Sequence, residues 1–492
     1  MTPETKNEGL VLNIILGVLS LGFLMTFIDL MVMNVALPVI ASDLGADINS
    51  LLWAVNSYAL VVSALLISMG RLGDLIGSRL VFLIGLSVFT VASVGVGLSS
   101  TSASLIGFRA LQGVGTAMLL PQNLAIIVQI VPAERRGATL GILGTVAGLA
   151  AIAGPAFGGL ITSLLGWRWI FFINVPIAAI ILPLAWIYLP KGKSGKGLSI
   201  DFPGTCLVAT ALVSLTYFLM EFSQQGWNAL MIALVLIFVA SSALLYLQQS
   251  RRQDRDPLIP FDVFKSPGFW PMCMVIAASS ISIIGLVVII SIFLQSGQGY
   301  SAFYAGLSVV PASFVSMLLA KWSGNMSDRY PGRGLILAGI AIQCVGIALL
   351  VATMHFASAS PPGTLEFAAM PDDFLWYLPS MIIIGTGNAL TVTPTNAIAM
   401  REVSPELSGA ASGIFNTIRQ IGIVGAVTFS GIAINLSLGE PLDLEQQGSQ
   451  AAISRALPFA MWMAFAAMLA AAAACLSMQA GAPSGEGEKS GT

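Results

Sequence analysis

Three charged side chains in this sequence fall inside long apolar runs: Asp29, Arg109 and Arg419. Asp29 sits in a run that begins near Leu10 and continues to about Ile40. A carboxylate in hydrocarbon costs roughly 2.5 to 3.5 kcal/mol on the insertion scale, so such a residue faces an interior cavity and is functional by default. The chemistry open to Asp29 is uptake and release of a proton. Arg109 is six residues from the outer end of its run, ~9 Å deep, and Asp29 is ten residues from the outer end of its own, ~15 Å deep. An arginine side chain spans that difference. Burial favours the neutral acid and a guanidinium favours the ionised one, so an Asp29/Arg109 couple is held between two opposed effects. A purely structural ion pair is the other reading. Arg419 lies some twelve residues into its run, with Asn416 and Gln420 within a turn of it. It is either satisfied by backbone carbonyls or contacts a substrate or anion, and the sequence does not choose between them.

The elements that must position these residues are transmembrane helices. Of the 492 residues, 56% are hydrophobic and 9% charged, and the mean hydropathy is +0.89, which excludes a water-soluble globular chain. About 20 residues of helix cross the ~30 Å hydrocarbon layer. Fourteen runs are that long, near 10–39, 51–70, 80–99, 104–130, 138–165, 169–189, 200–222, 229–248, 269–294, 302–322, 334–354, 374–400, 408–436 and 456–478. The first is too long for a signal-peptide core and reads as retained. Seventeen of the 21 lysines and arginines fall on the side that holds both termini and two, Arg168 and Arg455, on the other. That asymmetry places both termini in the cytoplasm of a cell-membrane protein. Cys206, Cys273, Cys344 and Cys475 fall singly in four spans, as small packing residues rather than a metal or disulfide framework.

The chain repeats itself. Gly70, Asp74 and Arg79, around the end of span two, recur as Gly324, Asp328 and Arg333 after span ten, 254 positions on. Glu134, Gly137 and Gly141 recur as Glu406, Gly409 and Gly413, and Gly113, Gly115 and Ala117 as Gly385, Gly387 and Ala389, 272 positions on. The expected organisation is a six-helix half over 1–190, two inserted helices with cytoplasmic linkers over 191–265, a second six-helix half over 266–480, and a disordered cytoplasmic tail over 481–492. Parallel repeats around a central path are a transporter architecture.

On these motifs the chain resembles the major facilitator superfamily, and within it the fourteen-helix drug:proton antiporters. Gly70 to Arg79 resembles the loop motif between helices two and three, and Arg109-Ala-Leu-Gln-Gly-Val-Gly-Thr-Ala117 the helix-four motif with a buried arginine. Gly154, Pro155, Gly158 and Gly159 resemble the helix-five antiporter signature; Trp167 to Pro176 and the Asp29 stretch look particular to the fourteen-helix branch. The resemblance implies that Asp74 meets the start of span thirteen, where Ser404 can cap the helix and Pro405 suits its first turn. By the repeat, Asp328 would meet the start of span five near Pro132. Gly70, Asp74, Arg79, Asp328, Arg333 and Ser404 together would then latch the cytoplasmic side. Leu75 and Ser78 replace the basic residues common in that motif, which would weaken the latch.

Polar residues that fit a lined cavity are Asn34, Asn56, Tyr58, Gln122, Asn123, Asn388, Thr391 and Arg419. Gly154-Pro155 also reads as a bend and close-packing point. No convergent titratable set, metal cluster or phosphate-binding loop is present, so neither an enzyme, a cofactor nor ATP is expected, and no nucleic-acid partner. The expected function is export of amphiphilic drugs in exchange for protons by alternating access, with small molecules, protons and the lipid bilayer as partners. With one carboxylate in the spans, neutral, zwitterionic or monocationic cargo is expected in preference to dications. Export of one endogenous metabolite or lipid, proton-coupled uptake of an organic anion, and a non-transporting membrane sensor stay open. Whether an accessory protein carries cargo onward is not written in these residues.

Overall fold

The structure is a computed structural model and describes residues 3–46, 48–131, 146, 149–150, 153–190, 201–253, 257–329, 332–358, 374–401, 403, 408–438 and 449–478. Each apolar run appears in it as a helix. In chain order these are α1 Pro3–Leu44, α2 Ile48–Ile76, α3 Ser78–Gly97, α4 Ser102–Ile130, α5 Ala153–Leu165, α6 Trp169–Tyr188, α7 Phe202–Gln225 and α8 Ala229–Ser250. They continue as α9 Phe269–Gly297, α10 Ala302–Arg329, α11 Gly332–Ser358, α12 Tyr377–Arg401, α13 Ser408–Leu438 and α14 Gln450–Ser477. Thirteen of them are long and apolar enough to cross a membrane. The other, α5, is shorter because the first part of the expected fifth span lies outside the described residues. No strand occurs among the described residues. Local chemistry sets the boundaries: Thr101 and Ser104 form a capping box at the start of α4. Gly77, at φ 98°, makes the left-handed turn between α2 and α3.

Helix pairing follows the sequence repeat. α1 packs on α6, α2 on α4, and α3 on both α4 and α6; eight helices later α9 packs on α14, α10 on α12, and α11 on both α12 and α14. Arg79 donates to the carbonyls of Trp186 and, at 3.3 Å, Leu189, with its guanidinium 5.0 Å from the Trp186 ring centre. Arg333, its repeat mate, donates to the Met478 carbonyl at 2.9 Å. Each arginine thus occupies the free carbonyls at a helix C-terminus, α6 in one case and α14 in the other, where a cation is favoured.

α7 lies against the seam between α2 and α13, and α8 packs on α7. Trp53 of α2 meets Tyr217 of α7 at 5.5 Å between ring centres, and Ser68 of α2 is hydrogen-bonded to Thr205 of α7. The insert is fixed at the terminus-bearing end by Asp201, which caps α7 through Gly204 N (3.1 Å) and accepts from Gln248 (2.6 Å), Gln249 (2.6 Å) and Arg252 (2.9 Å). Arg71 of α2 donates to Pro257 O at 2.5 Å, joining the same linker to the first half. Burial alone would raise the Asp201 carboxyl, but bonds from Gln249, Gly204 and Gln248 and the Arg252 charge outweigh it and hold it below its ordinary 3.8. A depressed carboxyl contributes stability that is present above its unfolded value and lost as pH falls through the folded one. Asp201→Ala leaves buried donors without an acceptor and is expected to cost about 1–3 kcal/mol near pH 7. Thermal unfolding in detergent should show that gap closing as pH drops below the carboxylate range. A gap independent of pH would contradict the assignment.

Candidate functional site

Asp29 comes from the middle of α1 and Arg109 from α4, and the two meet deep in the bundle: Arg109 is fully buried and Asp29 is 5% exposed. Arg109 Nη1 lies 2.5 Å from Asp29 Oδ2 and donates at 2.7 Å to Gln112 Oε1, and Gln112 Nε2 donates to Asp29 Oδ1 at 2.8 Å. The ring is closed: each carboxylate oxygen has a donor, and Gln112 is fixed by both charges. Arg109 Nε donates to Ala54 O of α2 at 3.4 Å, and the Tyr58 ring lies 4.3 Å from the guanidinium. Tyr58 is held in turn by Thr116 at 3.0 Å. Arg109 Nη2 has no partner among the described residues. The ensemble is a net-neutral pair with one spare donor. Its carboxylate can exchange guanidinium for a proton only if Arg109 moves or is given another acceptor.

Gln112 and Thr116 are members of this site that the sequence reading did not single out. Their signal was spacing, since both follow Arg109 at helical intervals on α4. Tyr58, expected on a cavity wall, supports the guanidinium.

Removing one partner of a buried pair leaves a bare charge and costs about 3–5 kcal/mol, whereas replacing both by apolar groups is close to neutral. Arg109→Met is therefore expected to lower the melting temperature sharply, and Asp29→Leu/Arg109→Met to recover most of the loss. A double variant as unstable as the single would show that the pair is not what Arg109 holds.

Other expected cavity residues divide into two groups. Gln122 donates to Met69 O at 2.8 Å and fills the space over Gly73, so it joins α4 to α2. Thr391 donates to Gly387 O of its own helix at 2.9 Å and packs on Gly339 of α11, fully buried. Both help pack helices together, because each faces a glycine of a neighbouring helix. Asn34, Asn56, Asn123 and Asn388 keep buried polar atoms without a partner among the described residues, as does Gln122 at Oε1. Asn34 donates to Leu30 O (3.0 Å), Asn388 to Ser316 (3.0 Å), and Asn56 to Met220 of α7 and Thr428 of α13, both at 3.1 Å. Arg419 of α13 is half-buried, with its guanidinium carbon 5.8 Å from the Phe27 ring centre of α1. No group of three or more metal-binding side chains occurs among the described residues.

The Major Facilitator Superfamily description matches residues 19–427. The chain belongs to that superfamily. It is 30% identical over 424 residues to the methylenomycin A resistance protein of Bacillus subtilis (strain 168), covering 86% of this chain and 88% of that one. It is also 30% identical over 404 residues to the multidrug resistance protein Stp of Mycobacterium tuberculosis (strain CDC 1551 / Oshkosh), covering 82% and 72%. A solved bacterial homolog of the human lysosomal transporter Spinster superposes with a TM-score of 0.65 at 16% identity, over 94% of this chain and 97% of that one. Family and fold are those of a multi-pass membrane transporter.

Within this superfamily fold the helix-five signature is a contact between the first and second halves of the chain. A Cβ on Gly159 would lie 2.3 Å from Ala302 O of α10, and one on Gly306 of α10 would lie 2.0 Å from Pro155 O. Gly154 and Gly158 abut Met31 and Val32 of α1, beside Asp29. Close packing through small residues, expected from the sequence, is what these positions do here. The expected latch is less complete. Gly70 packs on Pro121 of its own half, and Arg79 and Arg333 cap α6 and α14, so neither arginine crosses between halves. Ser404 and the side chains of Asp74 and Asp328 lie outside the described residues.

Proposed function

We propose that this transporter exports amphiphilic drugs or toxic compounds from the cell in exchange for protons, by alternating access, with Asp29 as the proton site and Arg109 as its counter-charge. The observation that carries the proposal is the closed Asp29–Arg109–Gln112 ring, the one carboxylate ring in the described spans and remote from both ends of the bundle. Relatives named for multidrug and methylenomycin A resistance support drug efflux. The lysine and arginine asymmetry supports cytoplasmic termini and insertion in the cell membrane.

Several hydrogen bonds and glycine approaches between the halves lie toward the end opposite the termini, while Ile67 of α2 meets Gly413 of α13 nearer the other end. Phe303 N donates to Ser163 (3.2 Å), Gln295 to Val35 O (2.8 Å) and Asn56 to Thr428 (3.1 Å), next to the Gly159 and Gly306 approaches. In this reading the outer end is shut, and it must part for cargo to leave. The two six-helix halves rock as bodies, while α7 covers the α2/α13 seam and α8 packs on its far side. Protonation of Asp29 releases Arg109 and lets the halves change partners. Each proton entering down the potential supplies ~2.3 kcal/mol per 100 mV. Dications are disfavoured, since the spans offer no second carboxylate away from their ends, Glu221 lying at the outer end of α7.

The test is transport in proteoliposomes with an imposed pH gradient, using ethidium, rhodamine 6G and 2-naphthoate as cargoes. Uphill movement of at least one, collapsed by a protonophore, is the expected result. Movement of none, or movement indifferent to the protonophore, would overturn the proposal.

A further inference from the structure

Apart from the exposed Arg251 at the end of α8, most arginines of the described structure have partners of a consistent kind. Arg79, Arg333 and Arg401 donate to backbone carbonyls, Arg168 pairs with Asp43, and Arg109 pairs with Asp29. Arg419 breaks that pattern. It lies mid-span on α13, and among the described residues it makes no hydrogen bond or ion pair; its guanidinium lies over the Phe27 ring. That contact reaches across from the second half to α1, so the side chain points into the interior rather than to lipid. Its half-buried state there means open space beside it.

Away from their ends the spans hold no spare carboxylate to neutralise it. Asp29 is engaged at both oxygens by Arg109 and Gln112. A lone guanidinium in a low-dielectric interior is costly unless a counter-charge arrives from elsewhere. A ring against one face of the guanidinium leaves its N–H donors free at the edge, where they match a carboxylate in a two-pronged geometry. Phe23 stacks on Phe27 with 4.5 Å between ring centres, which extends an aromatic wall alongside.

We infer that Arg419 and the Phe23/Phe27 wall form the binding site for an aromatic organic anion, with the guanidinium taking the acidic group and the phenylalanines the ring. This rests on the export reading and names its cargo class: the site selects acids over cations. The wall contributes from α1, two residues from Asp29, so cargo bridging Arg419 and Phe27 ties the second half to the helix that carries the proton site. Exchange of a monoanion leaving for one proton entering moves two charges in the same electrical sense, whereas exchange of a monocation for a proton moves none.

The experiment uses the full-length purified protein with 2-naphthoate, its neutral isostere 2-naphthamide, and ethidium. Wild type is expected to bind 2-naphthoate about 10- to 100-fold more tightly than 2-naphthamide, the range of a charge-assisted hydrogen-bonded pair. Arg419→Gln should bring 2-naphthoate down to the amide's affinity, leave the amide unchanged and leave thermal stability no lower, while Arg419→Lys restores part of the difference. In vesicles, an imposed potential should accelerate 2-naphthoate exchange and leave ethidium exchange unaffected. Equal affinity of acid and amide for wild type, or an unchanged acid affinity in Arg419→Gln, would overturn the inference. So would displacement of 2-naphthoate by chloride at equal concentration, which would mark a site for small inorganic anions. Ethidium export without any preference for the acid sinks this inference alone; failure to move any cargo sinks the export reading with it.

Discussion

Asp29→Asn is expected to leave an uncharged dye at equal concentration on both sides of a vesicle membrane, where the wild type concentrates it about 50-fold per 100 mV of proton-motive force. The figure follows from one proton per cycle, ~2.3 kcal/mol per 100 mV, and a tenfold ratio for each 1.4 kcal/mol. Asparagine has nearly the shape of aspartate and can still accept from Gln112, but it neither binds a proton nor balances Arg109. The variant therefore loses coupling first. Its stranded arginine also costs stability, so the measurement is paired with Asp29→Glu, which keeps the charge and should retain uphill transport in part. Passive exchange of dye down its own gradient is expected to survive in Asp29→Asn. Uphill transport by that variant would remove Asp29 from the mechanism.

Gly306→Val is the second large effect. The added Cβ would fall 2.0 Å from the Pro155 carbonyl, an atom of helix backbone that cannot rotate aside as a side chain would. Overpacking of this kind costs about 1–3 kcal/mol or more. The least costly response is for α5 and α10 to separate, which holds the outer end open. Uphill export should be lost while each half stays folded. In a cysteine-free background, a reporter at Ser163→Cys, beside Phe303, should react faster with a membrane-impermeant thiol reagent when Gly306→Val is present. Gly107→Ala, where an added Cβ meets nothing within 4 Å, serves as the neutral control. Normal export and unchanged labelling in Gly306→Val would show that this contact does not gate the outer end.

Much of the fold was legible because the bilayer imposes a length on apolar runs, and thirteen long helices answer to them. Asp29 and Arg109 were legible for a related reason: charges are so rare in the spans that two at compatible depth had few other partners. The repeat also carried real geometry, since Arg79 and Arg333, 254 positions apart, do the same job. The job itself was not legible. Spacing marks equivalent positions but says nothing of which helix end lies beside them, and the carbonyls at the ends of α6 and α14 are more than a hundred residues away in sequence. Gln122 and Thr391 were expected on a cavity because they are polar residues in spans. A sequence cannot show that each faces a glycine, and only the packed helices make them joints. Asn56 was expected on a cavity wall; its partners are 164 and 372 residues distant, in α7 and in α13, where no sequence pattern points.

The central claim is that Asp29 carries the exchanged proton. The most direct measurement is the number of protons released by the purified, unbuffered protein as it is titrated with the best-transported of the three cargoes, for wild type and Asp29→Asn. Across a pH series, the account predicts cargo-induced release that reaches at most one proton per bound cargo for wild type, and none for the variant with binding retained. The same release from both proteins would place the coupling proton on another group and contradict the account.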